Sequence, residues 1–211
     1  MRSGCGCGCL SVALVVVALA GLFWLGSGIF ARPVADHEIG SPADARRAQQ
    51  KLFELARGSG GRDRRPPVTL LEREVNAFLA RNLSPADLPL SELGIHLIGD
   101  GVVEVTGRVP FRTLWGDRLA MLANMLPARW AERPVWLRLR GPLRLEIGTG
   151  RGERRRLQLD VSSLMIGRRR LPALVLAAMP EGPIIRATRW SVPDIVESVT
   201  VEAGRLRITT R

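Results

Sequence analysis

The sequence predicts an α+β fold, one domain with a curved antiparallel sheet packed on helices, preceded by an N-terminal transmembrane helix. Three observations carry this. The stretch from Cys5 to Phe30 has no charged residue, two early segments repeat their apolar residues at helical spacing, and from Glu92 the apolar period shortens to two. The expected organisation is a short tail over 1–9, an anchor over 10–30, a juxtamembrane helix and linker over 31–67, and the α+β domain over 68–211.

The anchor follows from length. A helix rises about 1.5 Å per residue and a bilayer core is about 30 Å thick, so roughly 20 apolar residues cross it. Leu10 to Phe30 meets that need, and Gly21, Gly26 and Gly28 are tolerated in a membrane helix. A cleaved signal peptide would need a small-x-small site after the run. Phe30, Ala31 and Pro33 interrupt the best candidates, so the anchor is expected to stay.

Cys5, Cys7 and Cys9 precede the apolar run, whereas a lipoprotein signal places its cysteine after one. A structural zinc site needs four ligands, and no nearby histidine completes three thiolates. Palmitoylation of juxtamembrane cysteines stays open, beside the plainer reading of a tail of small residues. No cysteine follows Cys9, so no disulfide holds the domain.

Ser41-Pro42 predicts a helix start, with Ala45, Ala48, Leu52, Leu55 and Ala56 at helical spacing. Gly58 to Pro67 reads as a linker. A second helix is expected to open with Thr69 and Glu72 in capping-box spacing, with Leu71, Val75, Phe78 and Leu79 on one face. Leu93, Ile95 and Leu97, then Val103, Val105 and Val109, alternate on either side of Gly99-Asp100-Gly101, which predicts a hairpin. In the longest strand, Val135, Leu137, Leu139, Leu143, Leu145 and Ile147 share one face. Arg138, Arg140, Arg144 and Glu146 share the other, and Pro142 suggests an edge or a bulge. Leu157, Leu159 and Val161 continue the sheet, "VTVEAGRLRIT" closes the chain as another hairpin, and a helix is expected from Leu171 to Met179. One apolar and one charged face per strand means an antiparallel sheet covered on one side.

The segment after Pro110 is the candidate site. Helical spacing places Phe111, Leu114, Trp115, Arg118, Leu119, Leu122, Met125 and Leu126 on one broad stripe. A core-packing helix is the plain reading. Contact with lipid is the sharper one, because methionine adapts to irregular apolar surfaces, tryptophan suits a membrane interface, and a charge at Arg118 needs a phosphate or a carboxylate.

Catalytic patterns are missing from the sequence. His37 and His96 have no companion in it and read as structural, "GSGGR" and "GTGRG" lack the setting of a phosphate loop, and no metal or cofactor is expected. The formal charge is +11, nearly all from arginine, since Lys51 is the only lysine. That charge suits anionic partners, with Arg154 to Arg156 and Arg168 to Arg170 as candidates for lipid surfaces. On the charged sheet face Glu104, Glu146 and Asp160 are expected ion-pair partners for the arginines. Nucleic acid is not expected as a partner, because the basic face lacks interleaved aromatics other than Trp136.

The anchor, "VTLLEREVNAFLA", the hairpins, "IGRRRLPALVLAAM" and "VPDIVESVTVEAGRLRIT" together resemble bacterial membrane-anchored envelope proteins related to the tubular lipid-binding, TULIP-like superfamily. The resemblance implies a strongly curved sheet wrapped on a long helix around an apolar lipid groove. By position, Val75, Phe78, Leu79, Leu174 and Leu176 would face that groove or the core. The expected function is therefore a non-enzymatic, membrane-anchored envelope protein that binds an apolar ligand or lipid, or else a membrane-tethered scaffold. Its expected partners are the bilayer, a lipid ligand and an envelope protein. The N-terminus is expected in the cytoplasm and the domain on the periplasmic or outer side, with Arg2 favouring this and Arg32, Arg46 and Arg47 opposing it.

Overall fold

The structure, a computed structural model, describes residues 16, 28–33, 37–57, 66–83, 90–111, 132–146, 155–171 and 188–210. It is a mixed α+β fold in which antiparallel sheets dominate. Most of the 10–30 segment lies outside the described residues. Among those described, no helix is long and apolar enough to cross a membrane.

Helix α1 (Pro42–Arg57) begins where the proline signal places it. The Ser41 N–H and hydroxyl donate to Asp44 Oδ2 at 2.8 and 2.6 Å, so a carboxylate in the first turn closes the helix start. Ala45, Ala48 and Leu55 are buried, whereas Ala56 is exposed.

Helix α2 starts later than its capping pattern suggests. Thr69 lies in strand β1 (Val68–Leu71), facing Arg207 across the terminal hairpin, and α2 runs over Glu72–Asn82. Strand pairing takes the residues that the capping box would have used. The turn is closed instead by Glu74, whose carboxylate accepts the Leu71 N–H at 3.0 Å and meets Lys51 Nζ at 2.7 Å.

Strands β2 (Ser91–Gly99) and β3 (Val102–Pro110) form the expected hairpin. Asp100 and Gly101 both have positive φ, 52° and 77°, as the tightest hairpin turn requires. Strand β4 (Pro134–Glu146) is central, contrary to the edge that Pro142 suggests. It pairs along one side with β3, and along the other first with β6 (Ser163–Ile166) and then with β5 (Arg156–Leu159). The change of partner falls at Gly141, where a Cβ would run into the Asp160 carbonyl. Pro142 therefore sits beside an irregularity without opening an edge.

Strands β7 (Arg169–Arg170) and β8 (Arg189–Ser191) complete a seven-stranded sheet whose main order is β2-β3-β4-β5-β8. The closing hairpin, β9 (Val196–Glu202) and β10 (Arg205–Thr210), does not join it. With β1 it makes a separate sheet of order β1-β10-β9, so two sheets stand where one was expected.

The larger core gathers the apolar face of β2 to β6, with Val109, Val135, Leu137 and Leu164 almost fully buried. A smaller one joins α1 to the three-stranded sheet through Ala48, Leu55, Leu70, Val196 and Ile208. The helix expected over 171–179, with Leu174 and Leu176, lies outside the described residues apart from Leu171.

Candidate functional site

An apolar cavity of about 210 Å³ lies between α2 and the two sheets. Its helical wall is Val75, Leu79 and Leu83, spaced one turn apart along α2 and just past its end. Its floor follows from strand register. Ile95, Val105 and Leu139 face one another across β2, β3 and β4, and Leu143 faces Leu159 on β5. Trp190 on β8 and Leu206 on β10 close the sides, and Thr188 is the one polar residue among the described lining. The alternation that marked these strands in the sequence thus supplies a lining as well as a core. Phe78, one residue from Leu79, turns away and packs on the smaller core.

The opposite face of β2 and β3 is polar, and it holds the interactions that sequence reading missed. His96 does have a companion. Its Nδ1 lies 3.0 Å from the Glu72 carboxylate, which is only 2 % exposed and also accepts the N–H groups of Leu97 at 2.8 Å and Glu38 at 2.9 Å. His37 lies over Gly94, where a Cβ would fall 2.6 Å from the ring. These contacts place residues 37–40 against β2 and the first turn of α2. Nothing in the sequence spacing signalled them, since 24 residues separate Glu72 from His96.

Arginine pairing is visible on the same face. Arg138 meets Glu104 at 3.2 Å, and Arg144 meets Asp160 at 3.1 Å. Trp136 is covered by the guanidinium groups of Arg32 and Arg108, 5.3 and 5.8 Å from its ring centre. Arg155 departs from the expected basic surface cluster. It is buried and donates to the Val196 carbonyl, which ties β5 to the three-stranded sheet.

Among the candidate stripe residues, Phe111 is described. It packs on the larger core with its ring 6.3 Å from that of Phe30, and its N–H donates to the Arg133 carbonyl at 3.1 Å. Leu114, Trp115, Arg118, Leu119, Leu122, Met125 and Leu126 lie outside the described residues. No group of three or more metal-ligating side chains occurs among the described residues.

Comparison with family models, curated proteins and solved structures finds no match. The cavity's own chemistry is therefore what bears on function. The described lining is apolar apart from the Thr188 hydroxyl and the Trp190 indole N–H.

Proposed function

We propose that the chain is a membrane-anchored envelope protein whose cavity takes the hydrocarbon tail of a lipid. The observation that carries this is the cavity itself, about 210 Å³ with apolar walls. The cavity is partly open, so without an occupant its apolar wall faces water, and covering that wall gains roughly 25 cal/mol per Å² of apolar surface. A hydrocarbon occupant covers that surface, and water is a poor one where the described lining is almost wholly apolar. The volume is below the roughly 300–1,000 Å³ of drug-sized pockets, so one tail fits better than a whole lipid.

The finer architecture belongs to the same reading. Leu10 to Phe30 anchors the chain in a bilayer, which supplies the ligand, and an apolar groove between helix and sheet is what the resemblance to tubular lipid-binding proteins implies. Val75 and Leu79 on the cavity wall support that resemblance. The domain lies on the periplasmic or outer side and needs no catalytic group, cofactor or metal for this task.

The test is photocrosslinking of the full chain in membranes containing a diazirine-bearing fatty acid, followed by peptide mapping. Adducts on Val75 to Leu83 or on Leu139 to Leu143 support the reading. Adducts confined to residues 10–30 mark lipid around an anchor and sink the cavity reading.

A further inference from the structure

The end of the apolar segment is fastened to one end of the sheet. The Gly28 carbonyl accepts the Arg168 N–H at 3.0 Å, in the turn between β6 and β7. Two glycines permit this approach. Gly167, at φ 58°, has no room for a Cβ beside the carbonyls of Gly28 and Ile29, and a Cβ on Gly28 would lie 2.7 Å from Arg169 Nε. Ile29 and Phe30 pack on the larger core, and the Arg133 guanidinium covers the Phe30 ring at 4.2 Å.

Arginines are treated differently at the two ends of β4. Near its far end, beside the β9–β10 turn, Arg205 and Arg207 share Glu202 at 3.4 and 3.7 Å. At the fastened end Arg133, Arg168 and Arg170 are exposed, and none is paired with a carboxylate among the described residues. Glu132, also exposed, is the described carboxylate nearest in sequence to that group. Arginines without a carboxylate partner among the described residues thus gather where the apolar segment ends.

We propose that Arg133, Arg168 and Arg170 rest in the headgroup layer of an anionic leaflet and set the height of the domain on the membrane. The proposal relies on the apolar stretch that ends at Gly28 being inserted, as in the preceding reading, with Ile29 and Phe30 already on the domain. The headgroup region adds roughly 5–8 Å on each side of the hydrocarbon core. A turn in backbone contact with Gly28 lies within that layer, where phosphates meet arginine forks and anionic lipid supplies counter-charge.

The full chain is reconstituted in nanodiscs of phosphatidylcholine, alone or mixed with phosphatidylglycerol, and labelled with phenylglyoxal, with each arginine followed by mass spectrometry. Arg168 and Arg170 are expected to react about fivefold more slowly in the anionic discs, the factor that a basic residue gains at such a surface. High salt should restore the rate, and Arg205 and Arg207 should not change. Equal labelling in both discs overturns the proposal, as does equal protection in both, which would mean that something other than anionic headgroups covers the turn. A chain that fails to co-elute with discs shows instead that the anchor reading is wrong, and the proposal falls with it.

Discussion

The carboxamide of Asn76 bonds the Ile95 peptide as a neighbouring strand would. Asn76 Oδ1 accepts the Ile95 N–H at 2.7 Å and Asn76 Nδ2 donates to the Ile95 carbonyl at 2.8 Å. One turn earlier on the same helix, Glu72 takes the Leu97 N–H. Two side chains of α2 thus complete the outer edge of β2, an edge that would otherwise invite pairing with another chain. Because the helix is held by these bonds, one wall of the cavity is held with it.

Asn76→Leu therefore removes more than one contact. It strands the Ile95 N–H and the carbonyls of Ile95 and Glu38. Each unpaired buried group costs roughly 1–3 kcal/mol, so a loss of about 3 kcal/mol or more in urea unfolding is expected. A loss below about 1 kcal/mol would mean that water reaches the edge and that the helix does not seal it.

Glu72 and His96 separate by the same logic. Glu72→Gln has one oxygen for two backbone donors, Leu97 and Glu38, and leaves one of them facing an amide NH₂. His96→Ala leaves both donors satisfied. The glutamine variant should thus be the less stable of the two, by about 1–2 kcal/mol. The reverse order would make the histidine contact the principal one.

How much of this was legible depends on the range of the interaction. Periodicity located β2, β3, β4 and β5 and the apolar face they share, because Ile95, Val105 and Leu139 need only alternate to meet. The start of α2 was misplaced because Thr69 had a second option, pairing with Arg207 in a strand 138 residues away, and local capping energies do not register such competition. The same distance hid the second sheet. The cavity was invisible for a different reason, since the residues that line it are of the same types as those that fill a core.

Acid should loosen the start of α1. The Ser41 hydroxyl and N–H, with Arg47 at 2.5 Å, hold the Asp44 carboxyl well below the usual carboxylate range. A depressed folded-state pKa contributes stability that is present above the unfolded value of about 3.9 and is lost as pH falls toward the folded one. Asp44→Asn lacks that titration. Thermal midpoints measured from pH 5 down to about pH 2 should fall more steeply for the parent than for the variant. Parallel curves would mean that Asp44 does not contribute to acid sensitivity.

The sharpest separation of cavity from core is one substitution made at two places on one strand. Val105 and Val109 lie on the same face of β3 and are both buried. Both belong to the larger core, but Val105 lines the cavity and Val109 does not. A benzyl group at 105 has open volume to enter, replaces lost dispersion contacts and should raise the midpoint by about 2–4 °C. At 109 it must displace packed neighbours, and the expected loss is roughly 1–3 kcal/mol. Val105→Phe should also compete with the hydrocarbon for the same space and lower fatty-acid crosslinking at Val75 to Leu83, while Val109→Phe leaves crosslinking per folded molecule unchanged. If both variants lose stability alike, the space beside Val105 is ordinary core and the lipid reading loses its carrying observation. If Val105→Phe is stabilised yet crosslinks as the parent does, the tail binds elsewhere.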